Sequence, residues 1–169
     1  MELILKMSLL RQFEAAIDML ENALDKCPHQ LWEKALWEDD TMPPGSSAFW
    51  NIAYHTLFWL DLYLTGTVAG FAPPAPFTLD ELEVGKVTRV FTRGELQNYL
   101  AFNRNKCQVT ISGLADEQAQ KICRFGWGEL PFLELLFDNM RHVQEHAAQL
   151  NMFLGQNKRL ASRWVAKAE

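Results

Sequence analysis

Paired cysteines are missing from this chain of 169 residues. Its three, Cys27, Cys107 and Cys123, are an odd number without a C-x-x-C pair, which excludes a disulfide framework and a thiolate zinc cluster. A reducing cytoplasm is the expected location. Positive charge is also scarce: 16 Lys and Arg against 21 Asp and Glu leave a net charge of -5 and a pI near 5.4. Nucleic-acid binding through phosphates needs a basic face, so that class is set aside. The basic residues that gather late, Lys158, Arg159, Arg163 and Lys167, read as a solvated tail.

Long hydrophobic runs are absent too. The longest apolar stretch, "FWNIAYHTLFWLDLYL", has 16 residues and includes Asn51, His55 and Asp61, too short and too polar to span a membrane. The opening "MELILKMSLL" carries Glu2 and Lys6 among its apolar residues, and no small-residue cleavage site follows, so a secretory signal is not expected. There is no internal repeat and no low-complexity segment. What the chain does have is 49% hydrophobic and 12% aromatic residues, enough for a core in one domain spanning 1–169.

Helical spacing dominates the pattern. Leu9 or Leu10, Phe13, Ile17, Leu20 and Leu24 predict a first helix over about 3–26, stopped by Pro28. Turn signals in "EDD" and "MPPG" lead to Ser46 or Ser47 as the cap of a second helix over about 47–65, ending near Gly66. The prolines and glycines from Gly66 to Thr92 forbid a long helix, so this is a crossover with at most a short turn at "LDELE". "TRGE" is a capping box between Thr92 and Glu95, starting a third helix from Arg93 to about Ser112. Its inner face carries Leu96, Tyr99, Leu100, Asn103, Cys107 and Ile111. Pro131 then fits the first turn of a fourth helix, in which Phe132, Leu135, Leu136, Met140, Val143, Ala147, Leu150 and Phe153 recur until near Gly155. With no alternating strand pattern, the expected fold is all-α, a four-helix bundle with one long connection.

Histidine is scarce as well, and its placement is informative. His142 and His146 are four positions apart on the fourth helix, so both rings reach one point. His55 lies mid-way along the second helix between Ile52 and Trp59, where a neutral ring needs a partner. If the second and fourth helices face each other, the three form a tris-histidine site suited to zinc or nickel, with an open position for water or substrate. The bland reading is three core histidines bonded to neighbours. His29, just after Pro28, is a solvated loop residue.

"W-N-I-A-Y-H" and "H-V-Q-E-H-A-A-Q-L", with four helices and a long second connection, resemble the DinB/YfiT-like proteins, whose usual patterns are W-x-x-x-x-H and H-x-x-x-H-x-G-Q-L. The resemblance covers nearly the whole chain. It implies an up-down-down-up bundle, a divalent metal on His55, His142 and His146, with Trp50 and Gln149 at the flanking positions, and often a homodimer. Ala148 stands where the pattern has glycine, which should alter packing more than ligation. The resemblance also implies a metal-dependent enzyme acting on a small molecule, either a transferase using a low-molecular-weight thiol or a hydrolase. A stress-associated ligand-binding module and an interaction protein braced by its metal are the alternatives.

Other chemistries fit less well. H-V-Q-E-H matches the inverted zinc-peptidase signature, with Glu145 as general base, but such enzymes need a further glutamate ligand well downstream, and only 23 residues follow His146. Glu145 remains a candidate catalytic residue at the pocket edge, or a solvated charge. No histidine of the three has a glutamate three positions before it, which excludes a di-iron carboxylate bundle. The cysteines lie far from the histidines in sequence and read as core filling. Trp59, Asn139 and Gln149 are candidates for the pocket rim, with the core as the plainer place for Trp59 and a surface or packing role for Asn139.

Overall fold

The computed structural model describes residues 3–38, 40–83 and 89–168. Glu2 of the opening stretch, Asp39 of "EDD" and the crossover positions 84–88 lie outside the described residues. The first helix, α1 (Leu3–Lys26), has the predicted bounds and buries Leu9, Phe13, Ile17, Leu20 and Leu24. That stripe recurs every three or four residues, as one helix face must. The second, α2 (Phe49–Thr65), is buried on most sides and ends at Gly66 in the left-handed conformation, with φ +77°.

The start of α2 corrects the expected serine cap. Its N-cap is Ala48, without a side-chain bond, and Ser47 Oγ instead donates to the Trp37 carbonyl at 2.7 Å. The free N–H groups of the first turn are met by the preceding loop: Phe49 N–H donates to Lys34 O at 3.1 Å and Trp50 N–H to Trp32 O at 3.0 Å. Unsatisfied first-turn donors must be met somehow, and here backbone does what a serine was expected to do.

The crossover is packed down rather than loose. Phe71, Phe77 and Phe91 are buried, and Phe77 stacks on Tyr54 at 5.7 Å and on Tyr99 at 4.3 Å. Each such ring pair adds about 1 kcal/mol beyond simple burial. A single 3-10 turn, Asp80–Leu82, occurs where "LDELE" suggested one. The capping box then holds as expected: Glu95 N–H donates to Thr92 Oγ1 at 3.3 Å, and Thr92 N–H donates to the Glu95 carboxylate at 2.8 Å. It opens α3 (Arg93–Gly113), whose buried residues are the six read from the sequence.

Between α3 and the last long helix the chain adds three short elements that the sequence does not predict. A five-residue helix, α4 (Asp116–Gln120), is followed by an antiparallel hairpin of β1 (Ile122–Phe125) and β2 (Gly128–Pro131), with Cys123 opposite Leu130 and Phe125 opposite Gly128. Four-residue strands are too short to show alternation; the available signal was "FGWG", in which Gly126 opens the two-residue connection Gly126–Trp127 and Gly128 follows it. The last helix, α5 (Phe132–Lys158), starts one residue after Pro131, which is its N-cap rather than part of its first turn, and runs past Gly155.

Packing follows the buried stripes. α1 lies against α3 and α5, and α2 also lies against α3 and α5, so the four long helices close a ring around one core. Asp61, 1% exposed on α2, is satisfied inside that core by Tyr99 Oη at 2.9 Å and by Lys106 Nζ. The α2–α5 contact is the one that matters for the histidines.

Candidate metal centre

His55 projects from the middle of α2, and His142 and His146 project from successive turns of α5. The α2–α5 packing brings their Nε2 atoms together: His142 Nε2 is 3.3 Å from His55 Nε2 and 3.0 Å from His146 Nε2. Three nitrogens each about 2.1 Å from one tetrahedral ion would sit ~3.4 Å apart, close to the observed spacing, so the cluster suits a single metal. Among the described residues this is the one cluster of three or more His, Cys, Asp or Glu side chains with converging donors.

The outer nitrogens decide what the inner ones offer. Glu81 Oε1, from the 3-10 turn of the crossover, accepts from His55 Nδ1–H, and Gln149 Oε1 accepts from His146 Nδ1–H at 2.8 Å. A neutral imidazole has one N–H, so both Nε2 atoms present bare lone pairs to the common point. His142 Nε2 lies 3.3 and 3.0 Å from these two atoms, and with its own proton on Nδ1 it adds a third lone pair at the point where a cation would sit. This donor set therefore fits a divalent ion. It fits chemically as well, since neutral imidazole is a ligand for zinc and nickel.

Burial keeps His142 and His146 neutral. Burial, reinforced by the facing His146 and His55, pushes His142 down from 6.5 to about 3. His146 is held below the usual histidine value chiefly by burial, with the Gln149 bond opposing. Buried imidazole resists charging because low polarity penalises the cation.

A row of rings borders the triad. Trp59 lies 6.2 Å from His55, Tyr63 6.5 Å from His142, and the hairpin contributes Phe125, 5.0 Å from Tyr63. Trp127, 53% exposed, donates its indole N–H to Tyr63 Oη at 2.9 Å. Burial raises the Tyr63 phenol above its ordinary value, so it stays protonated at neutral pH.

A match to a family model places this geometry. The model of the DinB superfamily covers residues 12–150. The chain belongs to the DinB superfamily. No curated protein and no solved structure matches it significantly. This DinB-superfamily chain thus carries its two histidine motifs on helices that meet, and superfamily membership and the triad are both compatible with metal binding.

The remaining candidates take distinct places. Gln149 orients His146, and half-buried Trp59 edges the triad. Asn139 is fully buried and donates to Leu60 O on α2 at 3.1 Å, so it stands behind the site and not at its rim. Glu145 is exposed on α5. Trp50 is buried against Phe91, and Ala148 is exposed, so its methyl faces solvent. His29 is exposed in the 3-10 turn His29–Leu31, away from the triad. Cys27 and Cys107 are buried and pushed up to about 12, so they hold their protons and make poor nucleophiles. Sequence reasoning missed Glu81, which lies 26 positions after His55 with no motif linking them. An apolar hollow lined by Leu5, Ala119, Pro131, Leu133 and Phe137 shares no residue with the triad.

Proposed function

We propose that this protein holds a divalent metal, zinc or nickel, on His55, His142 and His146 and uses it to activate a low-molecular-weight thiol for transfer to a small electrophile. The observation that carries this reading is the convergence of three Nε2 atoms, two of them with their Nδ1–H groups tied to acceptors. Three protein ligands leave a coordination position open, whereas a purely bracing ion would be closed by four. A divalent ion there supplies the acidity that turns a thiol into a thiolate at neutral pH.

The chain's own residues do the rest. Glu81 and Gln149 hold their rings in the ligating tautomer. Trp59, Tyr63, Phe125 and the exposed Trp127 offer an apolar flank for the organic part of a thiol or its acceptor. A hydrolytic use of the same ion would need a general base, and Glu145, exposed on α5, supports that reading less well. A cytoplasmic location and a homodimer belong to the same proposal; no helix among the described residues is long and apolar enough to cross a membrane.

The test begins with metal. Reconstituted protein should contain one zinc or nickel per chain, and chelator should lower its melting temperature, since an ion at 100-fold its Kd stabilises the fold by about 2.7 kcal/mol. His142→Ala should abolish both effects and His29→Ala neither. A screen of thiols against electrophiles should then show metal-dependent thiol consumption. Absence of stoichiometric metal together with an unmoved melting temperature would overturn the metal reading; metal without thiol turnover would leave a ligand-binding module.

A further inference from the structure

Two of the three histidines have an acceptor behind them, and the third has none in contact. His142 Nδ1 is buried without a hydrogen-bond partner, and so is Asn139 Oδ1, one turn earlier on the same helix. Buried polar atoms without partners are uncommon and ask for an explanation. Here the two orphans are complementary. When His142 ligates through Nε2, its Nδ1 must carry the proton and becomes a donor, while an amide oxygen can only accept.

The amide orientation of Asn139 is fixed independently. Its Nδ2 lies 3.1 Å from the Leu60 carbonyl, and two oxygens would repel there, so the nitrogen faces α2 and the oxygen is the free atom. Positions three apart on a helix are side-chain neighbours, about 5–6 Å between Cβ atoms, close enough for a small turn of ring or amide to join them. Resting on the metal reading above, we propose that Asn139 is the positioning residue for His142: its Oδ1 accepts from His142 Nδ1–H and so fixes the third ligand as Glu81 fixes His55 and Gln149 fixes His146. All three ligands then present the same nitrogen to the ion, each held from outside by a different acceptor.

A built-in control separates this from simple packing. Asn103 on α3 is also fully buried, donates Nδ2 to the Leu57 carbonyl of α2 at 3.0 Å and leaves its Oδ1 without a partner, yet α3 supplies no ligand. It shares Asn139's packing role without the histidine.

The experiment measures zinc affinity by competition with a chromophoric chelator for wild type, Asn139→Leu, Asn139→Asp and Asn103→Leu, with the melting temperature of each chelator-treated protein alongside. Asn139→Leu should weaken zinc by about 10–100-fold, the usual effect of removing a partner behind a ligand. Asn139→Asp keeps an acceptor and should bind zinc at least as tightly as wild type, although its metal-free fold loses stability. Asn103→Leu should lose stability while keeping wild-type affinity. Unchanged affinity in Asn139→Leu, equal weakening in Asn103→Leu, or equal weakening in Asn139→Asp would each overturn the proposal. Should Asn139→Leu fail to fold, nitrogen NMR of the zinc-loaded wild type decides instead: a His142 Nδ1–H protected from exchange is expected, and one that exchanges as freely as an exposed imidazole would overturn the proposal. Wild type that binds no zinc overturns the metal reading itself, a result distinct from a variant that binds as wild type does.

Discussion

A ligating histidine is oriented through its second nitrogen. His55 shows this most directly, because its Nδ1 meets a carboxylate from a segment with no sequence relation to it. Glu81→Ala removes the acceptor at His55 Nδ1 and leaves the ring free to turn. Zinc binding should weaken about 10–100-fold in a competition titration. The chelator-treated variant should melt close to wild type, since the replaced side chain lies in the crossover and not in the core. An unchanged zinc Kd would show that the contact is incidental.

At the scale of elements, α2 must stop where the hairpin closes over it. Gly66 ends the helix with φ +77°, and a Cβ there would lie 3.0 Å from the Phe132 ring and 3.3 Å from Cys123 Sγ. Gly70 also has a positive φ, +74°, but a Cβ there meets nothing within 4 Å. Both positions carry the strain of a left-handed side chain, about 1–2 kcal/mol, and only the first adds a collision. Denaturant titration should therefore rank Gly66→Ala below Gly70→Ala in stability, by about 1 kcal/mol or more. Equal losses would mean that Phe132 and the hairpin yield without cost. The hairpin matters beyond its own few bonds, because it carries Phe125 and Trp127 to Tyr63 beside the triad.

Across the whole molecule, neutral buried histidines make folding sensitive to acid. His142 titrates near 6.5 when unfolded and at about 3 when folded, so the unfolded chain takes up the proton first as pH falls. Stability is thus full above pH 6.5 and drains as pH falls from there toward 3, with a slope of at most about 1.4 kcal/mol per pH unit from this group. His146 is shifted in the same direction and adds to it. Chelator-treated wild type should lose stability between pH 6.5 and 4.5 more steeply than His142→Leu, as measured by urea unfolding at each pH. Equal slopes would refute the neutral, buried state of this ring. Bound metal strengthens the same trend, because protons and the ion compete for the imidazoles.

Much of this protein is written in local pattern. The stripe from Leu9 to Leu24, the Thr92–Glu95 box and the inner face of α3 depend on neighbours within a few positions, and they folded as read. The pairing of His142 with His146 is likewise a property of one helix, and the partnership with His55 followed from the motifs of a superfamily. What lies far apart along the chain was decided by tertiary structure. Glu81 reaches His55 because Phe71, Phe77 and Phe91 pin the crossover over the bundle, and such aromatic packing leaves no spacing to read. The first turn of α2 took its acceptors from the preceding loop and not from Ser46 or Ser47, because backbone carbonyls brought close by folding compete with a local side chain. The hairpin too lays Phe125 and Trp127 against Tyr63 of α2, contacts that exist only after the helices have packed together.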